Sequence, residues 1–290
     1  MRYIDLSKID PSDPEVVAWE RQARECLSDL ESSPDHAARS TYLQSHNLWS
    51  SFKPILFRYF GEKCWYSECS LDGSFADVDH FRPKNLSVGT DGSVILDDGY
   101  WWLAYDYLNY RLSCEKCNRP YSEGGKGNYF PLRDGTAPAQ HGEPCDEDYL
   151  LIDPCNAEDV GLIGFSEEGK VIPITNDPWQ QKRVKNSIWI YNLNLFNNSR
   201  KRVLGRCKNE ISRFDLAYYT KSQDMYGALQ ALLDLVSQDS AYSSVARQYI
   251  SLSIEGKPYK TELEQILNLD TPPDCGSGGI QDLELAVAAR

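Results

Sequence analysis

The sequence lacks the features that several classes of protein require. No apolar run approaches the roughly 18 residues that span a bilayer, so a membrane protein is not expected. Residues 1–14 hold charges and prolines but no apolar signal core, and the chain is therefore expected to be cytoplasmic. In that reducing compartment the nine cysteines are predicted to be thiols or metal ligands rather than disulfides.

Positive charge is also scarce. The chain has 30 Lys and Arg against 43 Asp and Glu, a formal net charge of −13. Because phosphate attracts the opposite sign, such a chain is not expected to coat nucleic acid by charge alone, although a local site remains compatible with it. The segment 182–213 is the strongly basic stretch, with nine cations against Glu210, a local charge of +8.

The pattern along the 290 residues predicts an α+β protein of two compact units or one enlarged domain. Apolar residues recur at helical spacing in residues 1–62 and again in 177–270, which predicts helical regions at both ends. Between them, 63–133 carries paired cysteines and glycine turns. Residues 134–176 indicate an acidic connector with a small hairpin, and 271–290 a flexible tail.

Two pairs of cysteines have the spacing of zinc ligands. Cys114 and Cys117 form a CxxC, and Cys64 and Cys69 are separated by four residues, which is still within the range of zinc knuckles. Together they predict a structural Zn²⁺ site with four thiolates. The alternative is that Cys64 is a small buried apolar residue, Cys69 is incidental and the CxxC binds no metal.

The stretch ADVDHFRPK, residues 76–84, predicts a short strand that ends near Pro83. It contains Asp79 and His80. A histidine near neutral pKa can take a proton from water, and a carboxylate can hold a divalent ion beside a phosphate. Taken alone, the pair is more typical of a surface strand with a hydrogen-bonded histidine.

The order of these motifs resembles the HNH endonuclease family, whose ββα-metal motif lies between two zinc knuckles. The match covers roughly residues 64–132 and includes DHFRPK, WLAYD, an Asn nine residues before the Asn that follows the CxxC, and GNYFPL. It looks most like the HNH nuclease subunit of Septu-type antiphage defence systems. The resemblance implies an HNH core between helical regions and metal-dependent hydrolysis of phosphodiester bonds in nucleic acid.

The resemblance also implies a role for each matching residue. His80 would be the general base, Asp79 and Asn118 would be ligands of a catalytic Mg²⁺ or Mn²⁺, and Asn109 would brace the loop and orient the histidine. The cations expected to meet phosphate oxygens are Arg82, Lys84, Arg119 and Lys126. The alternative for each is a solvated surface cation.

The first knuckle departs from the family pattern. Relatives usually carry CxxC there, whereas this sequence has Ser67 at the second position and Cys69 two residues later. Since a hydroxyl is a poor zinc ligand, either Cys69 substitutes through a wider loop or this knuckle has only one sulfur.

Two questions about function stay open at the level of sequence. The alternative to an enzyme is a non-catalytic zinc-knuckle adaptor that binds a partner protein, but an adaptor has no need of the catalytic set. Residues 76–133 hold seven cations against eight acids, which is too little positive charge to bind a polyanion well. Either the segment 182–213 folds beside the site, or a partner, by resemblance an ATPase subunit, supplies the nucleic-acid surface.

Overall fold

A computed structural model describes residues 1–72, 76–122 and 124–269. It has many helices and three separate two-stranded sheets in this part of the chain, which is compatible with the predicted α+β class. The predicted flexible tail, 271–290, lies outside the described residues. No described helix is long and apolar enough to cross a lipid bilayer.

The N-terminal region is helical, as its apolar spacing predicts. Asp13 accepts a hydrogen bond from the backbone of Glu15 and Pro14 occupies the first turn, so the first helix begins with a capping side chain and a proline. Gly61, with φ of +73°, ends the third helix. These helices are α1 (Pro14–Glu31), α2 (His36–Ser45) and α3 (Lys53–Phe60).

The middle region is built on one antiparallel pair of strands. The strands and the helix of this region are β1 (Ala76–His80), β2 (Ser87–Val88), β3 (Val94–Leu96), β4 (Tyr110–Cys114) and α4 (Glu115–Asn118). β1 pairs with β4 so that Asp79 lies opposite Arg111 and His80 opposite Tyr110. The one-turn helix α4 follows β4 directly and packs on both strands. β2 and β3 form the small hairpin after β1.

The remainder is the connector and the C-terminal helices. The predicted connector hairpin is confirmed, because Phe165 pairs with Val171 across its turn. The elements are α5 (Ala157–Val160), β5 (Ile163–Phe165), β6 (Val171–Pro173), α6 (Pro178–Ile190), α7 (Asn197–Thr220), α8 (Asp224–Val236), α9 (Ser243–Ser253) and α10 (Lys260–Leu267).

Two apolar cores organise these elements. The larger runs from Met1 through α1, the β1–β4 pair and the connector to α6 and Val245, so it joins the helical N-terminus to the middle region. The smaller lies among α7, α8, α9 and α10. Apolar residues from the segments before and after the region with paired cysteines therefore pack against it.

Candidate functional site

The fold brings the predicted zinc ligands together. The sulfur atoms of Cys64, Cys69 and Cys114 all lie within 4.8 Å of one another. Cys117 is fully buried beside them and interacts with the thiols of Cys64 and Cys114. A tetrahedral site with metal–sulfur bonds of about 2.3 Å needs sulfurs spaced on this scale. Three of the four predicted ligands therefore have the spacing of a metal site, and Cys117 contacts two of them.

A wider loop delivers Cys69 to this cluster. The backbone N–H of Cys64 donates to the carbonyl of Cys69 at 3.0 Å, which closes the loop at its base. Glu68 turns the chain with φ of +64°, and its carboxylate accepts hydrogen bonds from the Met1 ammonium at 2.8 Å and the Ser244 backbone N–H at 3.1 Å. These contacts offset the strain of a left-handed non-glycine residue.

Ser67 occupies the second position of the CxxC spacing that begins at Cys64, yet it supports the cluster. Its backbone N–H donates to the Cys64 sulfur at 3.4 Å, and its hydroxyl donates to the Cys69 sulfur at 3.3 Å. Hydrogen bonds to sulfur favour the thiolate, which is the form that binds metal. The loop thus accommodates Ser67 as a donor to the sulfurs, with Cys69 placed among them.

The thiols differ in acidity because they are buried and share protons. Burial raises the pKa of Cys117 well above its ordinary value. Burial opposes ionisation of Cys64 too, but hydrogen bonds from the thiols of Cys114, Cys117 and Cys69 lower its pKa well below its ordinary value. A cluster that already stabilises one thiolate is suited to a divalent metal.

Cys69→Ser tests whether Cys69 is a ligand. We expect the zinc content of the purified protein to fall below one per chain and its melting temperature to fall, because a hydroxyl is a poor replacement for a thiolate. Elemental analysis and a thermal melt measure both effects. Cys26→Ser is the matched control, since it makes the same replacement at a half-buried cysteine outside the cluster. Unchanged zinc and melting temperature in Cys69→Ser would show that the site does not use four thiolates.

His80 lies at the end of β1, inside an aromatic enclosure, and is 4% exposed. The rings of Trp49 and Tyr110 approach the imidazole edge-on, each with centroids 5.1 Å away. Its Nε2 is 2.9 Å from the carbonyl oxygen of Ala104. Because a carbonyl oxygen only accepts, Nε2 carries the hydrogen, and in the neutral ring Nδ1 holds the free electron pair.

Burial lowers the pKa of His80 well below its ordinary value, and the charge of Lys84 lowers it further. The imidazole is therefore neutral at physiological pH. Lys84 itself lies with its Nζ 4.3 Å from the centre of the Trp49 ring, and burial lowers the pKa of Lys84 to about 8. The arrangement provides a neutral histidine with a defined tautomer beside a cation.

Asp79 is buried on the other face of β1, since successive strand residues point in opposite directions. One carboxylate oxygen accepts a hydrogen bond from the Tyr66 hydroxyl at 2.5 Å, and the other is 3.1 Å from the ammonium of Lys126. Lys126 also donates to the carbonyl of His80 at 2.6 Å. Burial raises the pKa of Asp79, while the charge of Lys126 opposes that shift.

These contacts bear on the predicted Mg²⁺ or Mn²⁺ site. A divalent ion needs open oxygen ligands, but both oxygens of Asp79 are bonded and the Lys126 ammonium lies where a cation would bind. The Asn118 side chain is turned elsewhere and donates from its amide nitrogen to Asp77 at 3.2 Å. In this arrangement Asp79 and Asn118 do not fit a divalent ion.

Asn109 clamps the chain just after His80. Its side chain accepts a hydrogen bond from the backbone N–H of Arg82 at 2.9 Å and donates to the carbonyl of Arg82 at 3.0 Å. The backbone carbonyl of Asn109 also accepts from Phe81 at 2.8 Å. The residue therefore holds the turn that follows the strand, and its role in a reaction stays a prediction.

The four cations expected to contact phosphate are placed very differently. Lys126 has no exposed surface and Arg82 is bound to Glu147 at 2.8 Å, so neither faces a surface-bound strand, contrary to the expectation. Buried ammonium and guanidinium groups need such partners because desolvation is costly. Lys84 is half-buried against Trp49. Arg119 is half-exposed, although it pairs with Asp77 at 3.0 Å.

Sequence reasoning missed the aromatic link between the cysteine cluster and β1. Tyr66 lies between Cys64 and Cys69 in the chain and donates to Asp79. Its ring stacks on Tyr191 with centroids 3.9 Å apart, and both rings are fully buried. The signal available in the sequence was the position of Tyr66 inside a predicted knuckle, but no spacing rule connects it to residue 79.

Tyr66→Phe measures the value of that link. We expect the free energy of unfolding to fall by about 1.5–3 kcal/mol, because a buried carboxylate loses a charge-assisted hydrogen bond. Chemical denaturation at pH 7 measures the change. Tyr42→Phe is the control, since its hydroxyl also donates to a carboxylate, Asp29, but at an exposed position. A loss no larger than that of the control would contradict the importance of the buried bond.

The comparisons with known proteins point in one direction. The chain is 35% identical over 131 residues to Septu protein PtuB of Bacillus mycoides (strain KBAB4), covering 41% of this chain and 43% of that protein. It is 26% identical over 217 residues to Septu protein PtuA of the same strain, covering 72% of this chain and 28% of that protein. The chain thus spans less than half the length of either relative that it matches. No family model matches it. These similarities relate the chain to the Septu proteins.

Proposed function

We propose that this chain is an HNH-type endonuclease that hydrolyses phosphodiester bonds of nucleic acid in a Septu-type antiphage defence system. The observation that carries the proposal is the state of His80. Its imidazole is kept neutral by burial, and the carbonyl of Ala104 holds the hydrogen on Nε2. A neutral imidazole with an accepting Nδ1 is suited to take a proton from water.

The surrounding groups support such a step. Asn109 fixes the turn after His80, which limits movement of the base. The charge of Lys84, which acts on the imidazole of His80, favours negative charge that develops on a phosphate. His80 is 4% exposed and lies against Trp49, in the 3₁₀ turn Leu48–Phe52, so proton transfer from water requires the enclosure around the imidazole to open.

The two metal sites are supported by different amounts of evidence. We assign a structural zinc ion to the cysteine cluster, in which the sulfurs of Cys64, Cys69 and Cys114 are close enough to share one ion and Cys117 is the expected fourth ligand. The resemblance implies Mg²⁺ or Mn²⁺ at Asp79 and Asn118, where such an ion would supply charge stabilisation for the phosphate. The observed pairing of Asp79 with Lys126 does not fit that ion, so the proton transfer above rests on His80 alone.

A multi-subunit defence complex is supported by the similarity to both PtuA and PtuB. The partner predicted by resemblance, an ATPase subunit, belongs to this proposal as well. Part of the segment 182–213 packs against the glycine loop of the middle region through backbone atoms, a contact that does not place the cations of the segment at His80. The N–H of Gly125 donates to the carbonyl of Ile190, at the end of α6, at 3.0 Å.

The decisive experiment is a cleavage assay with the purified, zinc-loaded chain. Plasmid DNA, single-stranded DNA and tRNA are each incubated without added divalent ion, with Mg²⁺ and with Mn²⁺. Cleavage of at least one substrate by the parent protein supports the proposal. Absence of cleavage in every arm, with the fold and zinc content intact, would contradict it and favour the adaptor that binds a partner protein.

A further inference from the structure

The exposed face of α6 combines cations with an aromatic ring. Lys182, Lys185 and Trp189 are spaced by three and four residues, which places them on one side of the helix. Both lysines are exposed, and Trp189 is 44% exposed. Arg183, by contrast, points inward and pairs with Asp159 at 2.6 Å. α6 contains no acidic residue, so this face is locally positive in a chain of net charge −13.

A second aromatic ring extends this surface. Tyr129 is half-buried next to Trp189, with ring centroids 5.2 Å apart and an interplanar angle of 66°. The pairing holds the indole in place while part of it stays open to solvent. Proteins that bind single strands combine exposed aromatic side chains with nearby cations. The bases stack on the rings and the phosphates contact the cations.

The surface is fastened to the candidate site by close packing. Gly124 lies so near the carbonyl of Trp189 that a β-carbon would come within 2.5 Å of that oxygen, so only glycine fits there. Two residues beyond Trp189, the ring of Tyr191 stacks on Tyr66, whose hydroxyl binds Asp79. Trp189 thus belongs to the helix that is connected, through Tyr191 and Tyr66, to Asp79 on one face of β1, while His80 points to the opposite face.

We propose that Lys182, Lys185, Trp189 and Tyr129 form a binding surface for single-stranded nucleic acid, with a base stacked on Trp189 and phosphates on the lysines. The inference rests on the proposed nuclease function and names the form of its substrate. A single strand fits because its bases can leave their neighbours and present a face to the indole, whereas in a duplex those faces are stacked on each other.

The test is the affinity of the full chain for a fluorescently labelled 12-nucleotide single strand, measured by anisotropy at 150 mM salt without added divalent ion. We expect Trp189→Ala to weaken binding by about 5- to 150-fold, the range for loss of one base–aromatic stack. Trp189→Phe should recover most of the affinity, because it keeps a ring. Tyr226→Ala is the control, since Tyr226 is 47% exposed on another helix.

The lysines have a separate signature. Replacing both Lys182 and Lys185 by Gln should flatten the dependence of log affinity on log salt by about 1.4, or roughly 0.7 for each single-strand phosphate that no longer meets a cation. The inference is overturned if Trp189→Ala binds as tightly as Tyr226→Ala, or if the parent binds duplex more tightly and Trp189→Ala leaves that preference unchanged.

Failure of this inference and failure of the nuclease proposal look different. Binding is measured without catalysis. If the parent protein binds single strands through Trp189 but cleaves nothing, the binding surface is supported and the nuclease proposal is contradicted. If the parent protein cleaves, and its Trp189→Ala variant binds and cleaves equally well, only the proposed binding surface is contradicted.

Discussion

His80→Gln is expected to lower the rate of nucleic-acid cleavage by about 10²- to 10⁴-fold, the usual contribution of a positioned general base. Glutamine is close to histidine in size and its amide can still donate to the carbonyl of Ala104, so the enclosure stays filled. It has no group that takes a proton from water. The initial rate of cleavage, measured with the substrate that the parent cleaves best, gives the size of the effect.

The same protein should keep its fold and its zinc, because His80 is not among the clustered cysteine ligands. A thermal melt and elemental analysis check both properties. His141→Gln is the control, since the His141 side chain is 46% exposed and lies far from β1 in sequence. Cleavage by His80→Gln at the rate of this control would remove His80 from the mechanism.

Cys114→Ser is expected to have the largest effect on stability. Cys114 ends β4, pairs with Ala76 and begins α4, so its sulfur joins the strand pair to the Cys64–Cys69 loop. Loss of a structural metal removes binding energy that contributes directly to folding. We expect the free energy of unfolding to fall by more than about 4 kcal/mol. Few single substitutions destabilise a protein this much, and those that remove a bound metal are among them. Chemical denaturation of the zinc-loaded protein measures the change.

The control for this experiment is Cys207→Ala. Cys207 is fully buried, but it lies in the smaller core among the C-terminal helices rather than in the cysteine cluster. We expect it to cost about 1 kcal/mol, as single core substitutions often do, and to keep its zinc. If Cys114→Ser keeps full zinc content and loses no more stability than this control, the cluster is not a structural metal site.

The helical regions and the connector hairpin were predictable because their signals are local. Periodic apolar residues, the cap at Asp13 and the glycine after α3 act within a few residues of the chain. The cysteine cluster was predictable for a related reason, since ligand spacing within each knuckle is set by a short loop. The position of Cys69 in the cluster depends on the buried contacts of Glu68 with Met1 and Ser244. These two residues are distant in sequence, so their effect could not be predicted from local spacing.

The placement of Lys126 could not be predicted in the same way. Lysine is mostly exposed, so a lysine in a glycine-rich segment reads as a surface cation. Here the glycine loop packs under the end of α6, and the ammonium turns inward to Asp79 and the carbonyl of His80. Desolvation then requires a partner charge, and that pairing closes the place where an ion was expected.

By itself the sequence determined the helical regions, the acidic balance, the candidate cysteine ligands and the order of candidate catalytic residues along the chain. Only the tertiary structure decided which of those residues share an environment. Asp79 and His80 are neighbours in the chain, but the pleat of β1 points their side chains to opposite faces. Asp79 contacts Tyr66 and Lys126, whereas His80 contacts Trp49 and Ala104. Burial and partner charges arise from residues far away in sequence, and these set whether a side chain acts as a base, an ion-pair partner or a ligand.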